Sequence, residues 1–291
     1  MNSKGNDTDC QRKKDPEKNN LFAPAVTEKH TLLFRDGRSE VRREPVLTEY
    51  HLSVFVDGVN AMQLVCTPEY LEELVWGRLL TAGIIKKAED VESLEICRER
   101  RRAEVFLKDA GKKDVGKAEV NLFENRYFPE ENAYASQSEK SGQTVQSVQY
   151  MQPVRTVDWK PEWIFALADH FHRGLPLHDR TWGTHSCFLS RGGRLLFQCE
   201  DIGRHNAMDK VIGYALKEDI RLGECIVYSS GRVPLDMAEK AVRAGIPVLA
   251  AKAVPTREAV RLAKRCGLTL IGSARSDTMK VYADGMKESA K

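Results

Sequence analysis

No run of apolar residues in this 291-residue chain approaches the roughly 20 needed to span a bilayer. The opening "MNSKGNDTDCQRKKDPEKNN" has no apolar segment of the kind that directs export. Membrane insertion and secretion are thereby set aside, and a cytoplasmic location is expected. An excess of one charge is lacking too. The 45 basic and 42 acidic residues leave a net +3, so no overall field draws the chain to nucleic acid or to a membrane surface, and any anion site must be local. The seven cysteines (Cys10, Cys66, Cys97, Cys187, Cys199, Cys225, Cys266) are scattered and include no C-x-x-C pair. That argues against a zinc ribbon or a disulfide framework and for reduced thiols. What is present is 42% hydrophobic content, enough to bury the core of one large domain or two modest ones.

Composition divides the chain into four parts. Residues 1–28 read as a disordered tail, 29–128 as a small α+β domain, 129–150 as a mobile polar linker and 151–291 as an α/β domain. In the small domain, "YHLSVFVDGVNAMQLVC" is two alternating runs joined at Asp57-Gly58, which predicts a hairpin. Thr67 is then the expected cap of a helix carrying Leu71, Leu74, Val75, Arg78 and Leu79 and stopped by Gly83. "ESLEICRERRRAEVFLKDAGKK" predicts further strand pairing. Its Arg98, Arg100, Arg101 and Arg102 read as a solvated strand face, with an RNA or partner patch as the alternative.

The larger domain opens with a helix that Asp158 would cap and Gly174 would stop, with Trp163, Ile164, Leu167, Ala168 and Phe171 on one face. "THSCFLSRGGRLLFQCE" predicts a second hairpin about Gly192-Gly193. A helix follows Gly203, and then strands "CIVYSS", "PVLAA" and "LTLIGSA" alternate with helices near 235–244 and 256–266. That alternation predicts β-α-β units with three or more parallel strands.

In such sheets the ligand crevice lies beyond the carboxyl ends of the strands. "SSGRVP", "AAKAVPT" and "GSARSDT" should converge there, each with one cation (Arg232, Lys252, Arg275) and with hydroxyls from Ser229, Ser230, Thr256, Ser273, Ser276 and Thr278. Two of these loops feed helix N-termini, which favour anions, so a phosphate or pyrophosphate ligand is expected. Ordinary surface charges and helix caps are the alternative. "EDIGRHNAMDK" adds Glu200, Asp201, Arg204 and His205 at the mouth of the next helix. Such a patch suits gripping a polar heterocycle, positioning an acid group or moving a proton, or else an internal Asp-Arg salt bridge at the turn.

Long ordered motifs then carry a resemblance. "REPVLTEYHLSVFVDGV", "CTPEYLEELVWGRLLTAGII", the "GTH" at 183–185, "EDIGRHNAMDKVIGYAL" and "SSGRVPLDMAEKAVRAGIPVLAAKAVPTREAVRLAKRCGLTLIG" resemble the FdhD family of formate dehydrogenase accessory sulfurtransferases, from about Arg43 to Tyr282. The resemblance implies sulfur passed from a cysteine desulfurase to the molybdenum or tungsten bis-molybdopterin guanine dinucleotide cofactor of formate dehydrogenase. It further implies a cytidine-deaminase-like larger domain with a mixed sheet, a homodimer, and GDP as a mimic of one cofactor end. Cofactor contacts map onto Ser273, Ala274, Arg275, Ser276, Asp277 and Thr278.

The chain also departs from the family. The carrier cysteine lies in a C-G-x-C-G segment of the linker, whereas here no cysteine occurs between Cys97 and Cys187. Trp182-Gly183 stands where two glycines commonly precede the histidine, and "GSARSDT" replaces a basic, glycine-bearing loop. A substitute thiol is sought in Cys187, two residues after His185 and hence on the same face of a strand, with Cys199 opposite His185. A metal held by these three is a lesser reading, since the zinc-deaminase signature is absent. His170, His172 and His178 read as solvated residues near a helix end. Two alternatives to sulfur transfer stand: a non-catalytic cofactor-holding chaperone or partner subunit, and a nucleotide-directed hydrolase using Asp201 and His205 as acid and base.

Overall fold

The computed structural model describes residues 24–108 and 151–288. The expected linker 129–150 lies outside the described residues, as does most of the expected tail. Val26, Thr27 and Glu28, assigned to that tail, instead open strand β1 (Val26–Arg35), which pairs antiparallel with β2 (Arg38–Leu47). Asp36 and Gly37, at φ 51° and 74°, make the turn between them, a D-G signal of the same kind as the next one.

Asp57-Gly58 does turn the chain between β3 (Tyr50–Val56) and β4 (Val59–Cys66), both residues at positive φ. With β5 (Val91–Cys97) and β6 (Arg102–Leu107) they form a four-stranded sheet in the order β4-β3-β6-β5, in which β3 and β6 run parallel. Arg98 to Arg101 form the β5–β6 turn and not a strand face, and Arg101 sits at φ 51°. Helix α1 (Leu71–Thr81) starts later than expected: its cap is Tyr70, in the left-handed region, and Thr67 is drawn away by contacts described below.

A six-stranded sheet forms the second half, in the order β12-β11-β10-β9-β7-β8. β7 (His185–Arg191) and β8 (Arg194–Asp201) are the antiparallel hairpin turned at Gly192-Gly193. β9 (Ile226–Ser229), β10 (Val248–Ala251) and β11 (Thr269–Gly272) are mutually parallel, and β12 (Lys280–Ala283) returns antiparallel on the edge. Helix α2 (Pro161–His172) is capped by Lys160 with Pro161 in its first turn, so Asp158 is not the cap. A short α3 (Pro176–Thr181) follows, and then α4 (Arg204–Lys217), α5 (Leu235–Arg243), α6 (Arg257–Cys266) and a terminal turn, α7 (Gly285–Glu288).

Side-chain alternation sorts the parallel strands into two cores. Val227, Leu249 and Leu270 face α4, α5 and α6, in a cluster that also takes in Leu52, Val54 and Leu79 of the first half. Tyr228, Ala250 and Ile271 face α2. The two sheets share no strand pairing, yet one core runs through both. Their joint is the antiparallel crossing of α1 on α4. Gly77 lies against the backbone of Asp209, and Gly213 against the carbonyl of Glu73, so closely that a Cβ at either position would overlap the facing backbone. Only glycine permits this approach. Lys217 closes the far end on Glu72 and Glu73, at 2.8 and 2.6 Å.

Candidate functional site

Backbone hydrogen bonds lace the loops beyond the parallel strands together. Ser230 N donates to Ser186 O, Lys252 N to Ser229 O, Ala274 N to Ala251 O, and Val233 and Thr256 bond across to Val254 O and Val233 O. The three loops do converge. Thr256 also caps α6, its hydroxyl accepting from Ala259 N.

The candidate side chains fall into two sets. In the first, Gly231 bears the stem of Arg204: a Cβ there would meet Arg204 Cδ at 2.9 Å and His185 Nδ1 at 3.5 Å. Arg204 Nε is buried without a hydrogen-bond partner. His205 Nε2 donates to Asp236 at 2.7 Å, and Asp236 also accepts from Met237 N. Burial raises the Asp236 carboxyl, but the hydrogen bond from His205 outweighs it with the help of the Met237 amide and Arg204, and the net shift is downward. His185 is half-buried with Arg204, His178, His205 and Arg232 around it. Burial first, and then these positive neighbours, hold its imidazole below the usual histidine range. Arg232 is exposed.

The second set surrounds the loop after β11. Arg275 donates to the carbonyls of Lys252 and Ala274, and its backbone N–H closes a turn on Thr278 O at 2.7 Å. Tyr228 donates to Ala274 O from below, and Lys252 Nζ sits 4.2 Å from the centre of the Phe171 ring. Ala274 is buried, Ser273 is half-buried at φ 52°, and Ser276, Asp277 and Thr278 are exposed at the tip. Arg275 therefore shapes the loop. Among the described residues no hydrogen bond or ion pair joins this set to the first.

Glu200 and Asp201 belong to the scaffold. The Glu200 carboxylate accepts from Leu177 N, His178 N and the Thr184 hydroxyl at 2.7 to 2.9 Å, holding the start of α3. Asp201, fully buried, pairs with Lys210 at 2.7 Å and accepts from Thr67, Gly203 N and Asn206. This is what takes Thr67 from the helix cap. It also removes the Asp201–His205 acid-base pair, since each has a different partner, and no Asp-Arg bridge forms at the turn.

Cys187 and Cys199 face each other across β7 and β8, and His185 faces Asp201, so Cys199 is not opposite His185. Both cysteines are buried. Burial lifts the Cys187 thiol well above its usual range and takes Cys199 to about 12, which leaves neither as a thiolate nucleophile at neutral pH. Cys66, Cys225 and Cys266 are buried too, and Cys97 is exposed. No group of three or more His, Cys, Asp or Glu suited to a metal ion occurs among the described residues. His178 is no solvated histidine: its Nδ1 lies 3.2 Å from Thr184 O and its ring packs between Phe171 and Trp182.

Sequence reasoning missed Asp236, Asp209 and Lys240. The signal for Asp209 was present, because Asp209 and Lys210 interrupt the apolar stripe of Ala207, Met208, Val211 and Ile212. Asp209 is fully buried between Lys240 (2.6 and 2.7 Å), Arg78 (2.9 Å) and the Thr81 hydroxyl (2.8 Å). Asn206 extends this network by accepting from Arg78 and donating to Asp201 and Val65 O. Buried charge of this kind persists only when paired and hydrogen-bonded throughout. A separate cleft of about 1110 Å³ opens between α1, β5 and α3, and of the predicted site residues only Glu200 and Cys199 reach its lining.

The chain is 30% identical over 258 residues to the sulfur carrier protein FdhD of Listeria monocytogenes, covering 86% of this chain and 94% of that one. It is 33% identical over 253 residues to the protein of the same name from Mycolicibacterium paratuberculosis, with 84% and 92% covered. Among solved structures it resembles a crystal structure described as a proposed formate dehydrogenase accessory protein from Desulfotalea psychrophila, at TM-score 0.71 and 25% identity, covering 89% of this chain and 97% of that one. The family model that matches residues 47–288 spans both halves and every candidate residue above, so the chain belongs to the FdhD/NarQ family.

Proposed function

We propose that this chain is an accessory factor for a molybdenum- or tungsten-dependent formate dehydrogenase. It holds the guanine-dinucleotide ends of the bis-molybdopterin cofactor, its cargo, at the carboxyl edge of the six-stranded sheet. The observation that carries this reading is the lacing of three loops there, with Arg204, Arg232, Lys252 and Arg275 around them. Fixed backbone and several cations at one edge suit the phosphates of a nucleotide better than a neutral metabolite. The antiparallel hairpin beside three parallel strands is the basis on which we class the larger domain as cytidine-deaminase-like. We also carry over a homodimer and a cytoplasmic site of action.

Sulfur transfer from a cysteine desulfurase needs a thiolate that the donor can reach. Of the six cysteines among the described residues five are buried, and the linker that bears the family's carrier has none. We therefore read the chain as a holder of the cofactor more than as the sulfur carrier. One observation favours the second reading: Cys97 is exposed at the end of β5 and is followed directly by the arginine-rich turn.

Titration calorimetry with GDP tests the first reading. Wild type should bind saturably, and Arg232→Ala, at an exposed position, should weaken binding by about tenfold or more, as the loss of a hydrogen bond to a charged group would. Arg275→Ala should also weaken it, by releasing the loop from the carbonyls of Lys252 and Ala274. No GDP binding by wild type would overturn the reading.

A further inference from the structure

The buried or half-buried carboxylates around His185 are all committed elsewhere. Asp201, directly opposite on β8, is committed to Lys210, Gly203 and Asn206. Glu200 is committed to α3, and Asp236 to His205. From α3 His178 faces His185, from α4 Arg204 and His205, and from the loop after β9 Arg232. No hydrogen bond to either His185 ring nitrogen is formed by the protein among the described residues. The buried Nε of Arg204 likewise has none. Gly231 leaves the stem of Arg204 and the ring of His185 in contact range over one bare backbone position. An imidazole whose nitrogens no protein group engages, walled by cations and without an available carboxylate, is short of negative charge.

We propose that His185, Arg204, His205 and Arg232 form the floor that takes a phosphate group of the bound nucleotide, and that His185 gains a proton from solvent as that group arrives. The proposal rests on the reading that a nucleotide docks at this edge, and it assigns the phosphate to this set and not to Arg275. The physical cause is linkage. Burial first, and then the positive neighbours, disfavour an imidazolium in the empty floor; a phosphate dianion entering there attracts the charged ring and offsets them, so the ligand and one proton bind together. Asp236 fixes the orientation of the His205 ring beside it, and Arg204, whose stem is pinned on Gly231, supplies a pre-set guanidinium.

The experiment is calorimetry in phosphate-free buffers of differing ionisation heat, between about pH 6 and about pH 8. GDP and inorganic pyrophosphate serve as separate probes of wild type, His185→Gln and Arg204→Ala. Wild type should take up protons on binding, with affinity falling by up to about tenfold per pH unit as pH rises. His185→Gln keeps a hydrogen-bonding side chain but should lose that proton uptake and flatten the profile. The ligand's own protonation is common to both proteins and cancels in the comparison. Arg204→Ala should bind more weakly at every pH and, with one cation fewer beside His185, should keep a proton-linked slope displaced to higher pH, unlike the flat profile of His185→Gln, which shows that the slope belongs to His185 and not to a collapsed fold. Equal proton uptake and slope in wild type and His185→Gln would overturn the proposal. Pyrophosphate binding with a His185-dependent slope, but no added affinity for GDP, would support the phosphate floor and sink the nucleotide reading. Silence of both probes would overturn both.

Discussion

Lys240 of α5 and Asp209 of α4 form a bidentate ion pair, Nζ lying 2.6 and 2.7 Å from the two carboxylate oxygens, with both side chains all but sealed from water. Arg78 and Thr81 of α1 complete the coordination of Asp209. One carboxylate thus ties α1, α4 and α5 together across the joint between the two sheets.

Removing that carboxylate leaves Lys240 and Arg78 facing each other in a buried space. Asp209→Ala should cost about 3–5 kcal/mol, the usual penalty for breaking one side of a buried ion pair. Urea unfolding would show this as a fall in midpoint. A loss under about 1 kcal/mol would mean that water reaches the cations and screens them.

Burial also sets a pH dependence. Lys240 is held down to about 8 from its ordinary 10.5, because desolvation outweighs its attraction to Asp209. Below pH 8 folded and unfolded chains both carry the proton, and the penalty of burying the charge is felt in full. Between about 8 and 10.5 the unfolded chain retains a proton that the folded chain has released, so this group's contribution to stability rises with pH. Wild type should therefore gain on Lys240→Met when both are unfolded in urea at rising pH. A difference independent of pH would show that the lysine is not depressed.

At the α1–α4 crossing an alanine should do the opposite of what helix propensity favours. Gly→Ala inside a helix ordinarily stabilises by about 1 kcal/mol. Gly213→Ala would push a methyl into the Glu73 carbonyl and should instead destabilise by about 1–3 kcal/mol or more. Thermal unfolding of the variant distinguishes the signs directly.

Thiol accessibility separates the cysteines. Among the six described, Cys97 should react with iodoacetamide in the native protein, and Cys66, Cys187, Cys199, Cys225 and Cys266 only after unfolding. Peptide mass spectrometry reads this out. After incubation with a desulfurase and cysteine, a sulfur atom gained on Cys97 would favour the carrier reading, and none on any of the six would favour the cofactor holder.

Most strands and helices were legible because their signals are local. The Asp57-Gly58 and Gly192-Gly193 turns, the Thr256 cap and the alternation after Gly203 all depend on neighbours in sequence. The Asp36-Gly37 turn carried the same local signal and went unread. The caps at Thr67 and Asp158 failed for a different reason. Thr67 is drawn 134 positions along the chain to Asp201, and Pro161 pre-forms the first turn of α2 without help from Asp158. The loop convergence followed from sheet topology, but the grouping within it did not. Which face of the edge each cation takes depends on Gly231, Phe171 and Asp236, residues whose roles exist only once the chain has folded.

The paired glycines at the α1–α4 crossing have a consequence for how such a chain can change over generations. With backbone pressed on backbone at Gly77 and Gly213, no side chain remains at those positions to be traded for another of similar size. A substitution on either helix has to be answered on the other, so the two halves are held to a shared history. The exposed side chains at the tip, 276–278, bear no such constraint. They are where new ligand preferences have room to arise on an unchanged frame.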